Sequence, residues 1–505
     1  MTLVREAGSQ IIANFAVPYK GTWQSVAANQ LMPDMLYNSN NVFIREGKLR
    51  ERPGLSLLNS TVFDSPVIGG AMAVTPSDKI LLAFTKSRLY TLTKSATIWS
   101  VDTIAGFAAN EHGLIDVTFT ETANQYVAVI ADNTSSLKRW IHGSGVTTIV
   151  PVVGVVPTAK SVCTAARRIV YLSEPHTVGW TASLTYDNFP ALANYKIAAT
   201  NDLGICVKSL SVLSFVVYKE RSIYVARAQA GSDAGAFGFS EPIKIEGPSG
   251  THAVVDVGGM HMYMTANGRI AIFDGTRYPQ WIADGLWLFL QSDIDPMYSH
   301  KIFGVFDYRL HIVTFHYPRV TDTNGQMTGL VVINIPLEGS NILSFAAFLG
   351  VTGKPCSYGY EMRFNQQIDK SVIFTSTTND PQSFIFDENV NTDDDVVFNC
   401  LFQTPLIAMP ELLHTQVSIE SFIERADGNG VISVFAMTSD ILETKSGIKQ
   451  LASVNIVDLN NNPVVEYVGF NVPTRFFGLQ YEWVSSSKVR YAGTSVLGRV
   501  VEAKG

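Results

Sequence analysis

The chain has few charges, few cysteines and no long apolar run, and each shortage removes a class of protein. Asp, Glu, Lys and Arg make up only 16% of its 505 residues, well under the roughly 25% usual for a soluble domain. Acidic residues outnumber basic ones, 44 against 37, for a formal net charge of −7. A site that grips nucleic acid by its phosphates needs clustered Lys and Arg, so this balance argues against a phosphate-gripping protein. The four cysteines, Cys163, Cys206, Cys356 and Cys400, lie far apart with no C-x-x-C pair. That spacing reads as buried reduced thiols, not as a zinc site or disulfide framework, and fits folding in a reducing cytoplasm. The best apolar run, GLWLFL at 285–290, falls far short of the roughly 20 residues that a spanning helix needs. The opening MTLVREAGSQIIANF carries an apolar patch too short for a signal peptide, with no small-residue cleavage site behind it.

Catalytic and ligand motifs are also missing. There is no G-x-S-x-G elbow, P-loop, G-x-G-x-x-G or H-E-x-x-H. ADGNGVIS at 426–433 resembles the middle of a calcium loop, but Arg425 and Ala436 stand where the first and last oxygen ligands belong. It reads as a hairpin turn. His311 and His316 have opposite parity on a strand and cannot chelate one ion. His261 alternates with Tyr263 and reads as packed. The only acidic run is Asp393, Asp394 and Asp395, within a polar loop NVNTDDD at 389–395. No catalytic set, metal site or cofactor is expected.

What the chain does have is Gly, Phe and a repeated hydrophobic pattern, with 38 Gly and 28 Phe. A short β run, a polar turn and a second β run recur at 80–92, 126–141, 169–180, 213–225 and 260–273. Two looser copies follow at 310–335 and 372–386. Each reads as a hairpin by alternation, β-branched content and turn chemistry, as at Asn267-Gly268. Hairpins every 40–50 residues or so are the spacing of β-propeller blades, which must stack around an axis because one blade cannot cover both its faces. A large β-sandwich is the competing reading. Trp-Asp repeats and sialidase-type Asp boxes are absent, and Gly258-Gly259 is echoed only by Gly69-Gly70, too little for a kelch array. From about Leu401 the rhythm changes, with two strands around a tight turn at 414–440 and at least two more from Phe476. The expected fold is therefore all-β: a propeller of six to seven blades over 61–395, a C-terminal antiparallel β platform or sandwich over 396–505, and an N-terminal segment over 1–60.

The N-terminal segment carries the most specific stretch, LMPDMLYNSNNVFIREGKLRERPGL at 31–55. Val42-Phe43-Ile44 makes a strand, Glu46-Gly47-Lys48 a turn, and Leu49 starts the return before Pro53 ends the pairing. Arg45, Lys48, Arg50 and Arg52 thus crowd one short hairpin in an acidic protein. They form either a solvated turn with internal Arg–Glu pairs or a docking surface for an acidic neighbour. Through Pro33, Asn38, Asn41, Gly47, Arg52, Pro53 and Gly54 the stretch resembles the N-terminal region of tail nozzle proteins (tail tubular protein B) of short-tailed bacteriophages. The resemblance implies a structural virion component made in the host cytoplasm, with no catalysis. It implies a ring of about six copies below the portal and its adaptor, with tail fibres or spikes as further partners, that holds double-stranded DNA and passes it at ejection. Arg45, Lys48, Arg50 and Arg52 become candidate adaptor-docking residues, and Asp393, Asp394 and Asp395 a candidate channel-facing loop. An acidic conduit suits DNA release, since each neutralised phosphate adds affinity. The alternatives are a propeller that degrades glycans and a monomeric propeller interaction module.

Overall fold

In the computed structural model each of the seven repeated hairpins is the central strand pair of an antiparallel four-stranded arrangement. The structure describes residues 10–75, 78–95, 98–104, 114–122, 125–336, 345–362, 370–376, 381–408, 415–425, 430–439, 447–456, 464–471, 476–487 and 489–500. The central strands are apolar on both faces because a blade has a neighbour on each side. Lys79–Phe84, Ser214–Lys219, His261–Met264 and Ile312–Tyr317 are buried along nearly their whole length. Continuous burial of this kind erases the polar alternation of a one-sided sheet.

The inner strands are Gly69–Val74, Asp116–Thr122, Ser161–Ala165, Gly204–Ser211, Val254–Asp256 and Phe303–Asp307. A single 17-residue strand, Ala346–Met362, supplies the next two positions. Its first half pairs outside Met327–Asn334 and completes blade six, as in Leu330↔Gly350. Its second half pairs with Lys370–Thr375 and is the inner strand of blade seven, as in Tyr358↔Phe374. The outer strand of blade seven is Gly54–Asn59, which lies against Ser383–Asp387 with Phe386 opposite Leu55. The propeller therefore has seven blades, and a strand from the N-terminal segment closes the ring. Asn267-Gly268 lies in the turn of the fifth hairpin as expected, within a loop longer than two residues: Gly268 is left-handed, and Thr265 N–H donates to Arg269 O.

The remaining strands form a β-sandwich. One sheet runs Val42–Arg45, Lys48–Glu51, Val489–Val500, Thr415–Arg425, Val464–Asn471, with Gln10–Phe15 also on Val489–Val500. The other runs Asn38–Asn40, Asn399–Gln403, Phe476–Val484, Gly430–Ser439, Gly447–Ile456, with Ile407–Ala408 on Phe476–Val484. Between them Phe402 lies 4.7 Å from Tyr481 and 4.8 Å from Tyr491, ring centre to ring centre. This core continues into blades six and seven through Phe348, Phe384 and Leu55.

Two expectations are corrected. The described part of the expected N-terminal segment 1–60 does not stand apart, because Gln10–Glu51 supplies strands to the sandwich and Gly54–Asn59 closes the propeller. The expected turn at 426–429 lies outside the described residues, and the strands flanking it enter opposite sheets, so they do not form a hairpin with each other.

The step from sandwich to propeller leaves no room at Gly54. A Cβ there would stand 2.2 Å from Thr392 O and 2.8 Å from Val390 O, both backbone atoms that cannot turn aside. Gly54→Ala is expected to destabilise the protein by about 1–3 kcal/mol through overpacking, read as a lowered thermal transition against wild type.

Candidate functional site

The chain turns from sandwich to propeller at Arg52-Pro53-Gly54, and the Arg52 side chain points inward there. Its Nε donates to Asn41 Oδ1 at 2.9 Å, Nη1 to Asp393 Oδ1 at 3.0 Å and Pro53 O at 2.8 Å, and Nη2 to Asp393 Oδ2 at 2.6 Å and Val351 O at 3.1 Å. These bonds satisfy every N–H of the guanidinium, whose face also lies 4.0 Å from the Phe398 ring centre. Both partners of the ion pair have side chains 0% exposed. Asn41 is left-handed at φ 57° and ties in further strands: Oδ1 accepts Val351 N–H at 2.9 Å, and Nδ2 donates to Asn399 O at 2.9 Å. Asp393 Oδ2 also accepts Gly353 N–H at 2.7 Å.

Two residues assigned to separate candidate sites thus meet in one buried pair. Arg52 is not a docking residue, and Asp393 does not face a channel, because neither reaches solvent. Asp394 and Asp395 have φ of 54° and 66°, the left-handed pair that a two-residue hairpin turn requires, between Thr392–Asp393 and Val396–Val397. Asp394 pairs with Lys354 at 2.8 Å, and Asp395 is exposed.

Arg45, Lys48 and Arg50 lie on a hairpin that is built into the sandwich sheet. Glu46 and Gly47 turn it with φ of 52° and 74°, and Arg50 sits opposite Arg490 on the neighbouring strand. Lys48 is half-buried. Arg45 pairs with Glu388 and, at 3.7 Å, with Glu46; Arg50 reaches Glu51 at 3.7 Å; Arg309 reaches Glu388 at 2.7 Å. Arg45, Glu46, Arg50, Glu51, Glu388 and Arg490 line a cleft of about 280 Å³. Burial holds the Arg45 guanidinium below its usual range, and Arg50, Arg309 and Arg490 add repulsion that Glu46 partly offsets. Sequence reasoning found Arg45 and Arg50 but missed Arg309 and Arg490, which no local pattern connects to them.

Side chains from the inner strands fill the propeller axis. Asp116 accepts Ser161 Oγ–H at 2.5 Å and Lys208 Nζ–H at 2.9 Å, linking three consecutive blades. His252 Nε2 donates to Ile115 O at 2.9 Å, its ring lies 4.5 Å from Tyr358, and Tyr358 O–H donates to Gly70 O at 2.9 Å. Burial pushes His252 down to about 4, so it is neutral at pH 7. On one face the blades leave a cleft of about 600 Å³ whose lining includes Asn133, Lys160, Glu220, Arg221, Glu246 and His300. All four cysteines are buried and unpaired. His261 is packed as expected, bonded to Tyr218 O–H at 2.9 Å and Ser209 O at 2.8 Å. His311 sits in a turn at φ 51°, while His316 is buried 4.7 Å from Phe303 with neither ring nitrogen hydrogen-bonded. Among the described residues no three His, Cys, Asp or Glu side chains are grouped to hold a metal.

Fold and site together define a seven-bladed β-propeller locked to a β-sandwich through a buried arginine. No family model and no curated protein matches the sequence. Solved structures with a similar fold include the WD40 domain of Toxoplasma gondii coronin, with TM-score 0.41 and 11% identity over 71% of this chain and 88% of that one. BamB from Moraxella catarrhalis has TM-score 0.36 and 11% identity over 66% of this chain and 99% of that one. Raptor from Chaetomium thermophilum has TM-score 0.43 and 10% identity over 67% of this chain and 29% of that one. These likenesses are of fold alone.

Arg52→Ala is expected to cost about 3–5 kcal/mol, because it strands the Asp393 carboxylate in the interior. Asp393→Asn should be comparably harmful, and the double variant should cost less than the two singles added, as denaturant titration would read. A second expectation concerns acid. His316 is pushed down to about 3 by burial and then by Arg52. Its folded-state value, like that of His252, lies below the ordinary 6.5. The unfolded chain therefore binds more protons between pH 6.5 and about 4, and stability falls as pH drops through that window. His316→Phe should keep the pH 7 melt and flatten part of this acid loss.

Proposed function

We propose that this chain is a structural, non-catalytic nozzle subunit of a short bacteriophage tail. A ring of about six copies would sit below the portal and adaptor, retain packaged DNA and pass it at ejection. The observation that carries the reading is where the resembling stretch lies. Asn41, Arg52 and Gly54 build the junction of propeller and sandwich, Asn38 opens a sandwich strand, and Gly47 turns the hairpin. The resemblance thus falls on residues that set the architecture, not on exchangeable surface. The filled axis supports the same reading, since DNA would have to run between copies and not through one propeller. Val150, Val152 and Val155 are 73%, 73% and 84% exposed on one loop, a concentration of apolar surface that suits contact between subunits. Arg45, Lys48 and Arg50 are assigned to the face toward the adaptor. The propeller-face cleft favours a second reading, a monomeric interaction module.

The test is made on particles. Virions assembled without this chain should be full heads that lack the tail stump and leak DNA, and complete tails would overturn the assignment. Light scattering of the isolated protein at micromolar concentration should show monomer, with rings forming only on adaptor-bearing particles. Val152→Ser with Val155→Ser should leave the thermal melt unchanged and block those rings. Rings that form normally would place the intersubunit contact elsewhere, and reducing sugar released from host capsule or lipopolysaccharide would favour a glycan-degrading propeller.

A further inference from the structure

Blade four turns on two large apolar residues. Val212 and Leu213 join Gly204–Ser211 to Ser214–Lys219, and they are 79% and 62% exposed. Such a tip is ordinarily Gly, Asn, Asp, Pro or Ser, as at Gly258-Gly259 in blade five. The turn is nevertheless firmly held. Ser211 Oγ and Ser214 Oγ lie 2.7 Å apart at its base, Ala166 N–H of blade three donates to Val212 O at 2.7 Å, and Ala228 N–H donates to Leu213 O at 2.8 Å. Both tip carbonyls thus have donors already, so moving the tip out of water strips little backbone of its solvation. In an antiparallel blade the first and third connections leave the same end of the sheet. The third connection of blade three puts Leu184 at this end, 54% exposed, and that of blade five puts Tyr278 there, 67% exposed. Charge is balanced in and beside these connections. Arg167, Arg227 and Arg277 are matched in number by Asp187, Asp256 and Asp274, and Arg168 pairs with Asp233 at 2.6 Å.

We propose that this end of blades three to five is a surface that rests on a lipid bilayer, with Val212, Leu213 and Leu184 entering its outer apolar layer. The side chains come singly from three consecutive blades, at the tips of connections and not in a groove. A bilayer accepts separate side chains wherever they fall along its surface, whereas a protein partner buries a contiguous patch. The valine loop at 150–155, with its apolar residues gathered in one place, is of that second kind. Tyr278 adds the amphipathic ring that settles at the level of lipid headgroups. Exposed Arg167, Arg227 and Arg277 can lay their stems along the surface and keep their charges in water. Because the charges balance, the attraction is apolar insertion and not adsorption to acidic lipid. The inference does not rest on the nozzle reading.

The native cysteines are all buried, so Val212→Cys can carry a polarity-sensitive nitrobenzoxadiazole label on the full chain. Glu220→Cys, exposed at the opposite end of blade four, is the control. With excess phosphatidylcholine vesicles the label at 212 should brighten several-fold and be quenched by spin-labelled lipid, while the label at 220 stays unchanged. Added salt, or part replacement of the lipid by phosphatidylserine, should alter this little. Val212→Asp with Leu213→Asp should abolish co-sedimentation with vesicles and keep the thermal melt, because both positions are exposed. No response at 212, an equal response at 220, or co-sedimentation that survives the double variant would overturn the surface. Binding confined to acidic vesicles and lost in salt would overturn apolar insertion. A label at 212 that responds to protein concentration and not to vesicles would assign the tip to contact between copies and overturn the bilayer. These readouts need only purified protein and lipid, so they succeed or fail independently of what virions without the chain look like.

Discussion

The architecture turns on one desolvated charge pair. Taking Arg52 and Asp393 out of water is expensive, and their attraction repays that cost only if the remaining polar atoms also find partners. Here they do, through Asn41, Pro53, Val351 and Gly353. Those partners come from separate parts of the chain: the sandwich entry, the strand shared by blades six and seven, and the loop leading back into the sandwich. Propeller and sandwich can each pack apolar surface in several relative positions, because hydrophobic contact is not directional. A forked ion pair with fixed acceptors is directional, and it selects one position.

A second group of arginines lies a short distance along the same hairpin, where Arg45 and Arg50 pair with Glu388, Glu46 and Glu51 at the partly exposed sandwich edge. The same sequence stretch thus carries one ion pair sealed in the interior and others at the surface. The acidic run is divided in the same way, where Asp393 is spent on the interior and Asp394 and Asp395 shape a turn.

The hairpin rhythm was legible because the central strands of a blade are apolar and evenly spaced. The inner strands were less so: Val254–Asp256 has three residues, Asp116–Thr122 carries several polar ones, and Gly69–Val74 and Gly204–Ser211 begin at glycines where a Cβ would crowd Ile115 and Leu172. The closing strand Gly54–Asn59 was hidden for another reason: its partner Ser383–Asp387 lies at the far end of the propeller, and no local pattern reports such pairing. The charges misled most at Arg52 and Asp393. Arg and Asp in polar runs are ordinarily on the surface, and nothing nearby in sequence signals that two of them share a buried bond. Asn41, left-handed and bonded to both ends of the junction, could be recognised only once those ends were seen together.

Ring closure by an N-terminal strand also dictates an order in time. A ribosome adds about 5–20 residues per second, so Gly54–Asn59 is made tens of seconds before Ser383–Asp387 exists to receive it. The hairpin Val42–Glu51 waits longer still for Val489–Val500. Blades one to six can stack as they emerge, each on the last, while the first stretch synthesised stays without its sheet. Neither the ring nor the sandwich can complete before nearly the whole chain has left the ribosome. Maturation is thus a late, single event in which the oldest residues dock against the youngest.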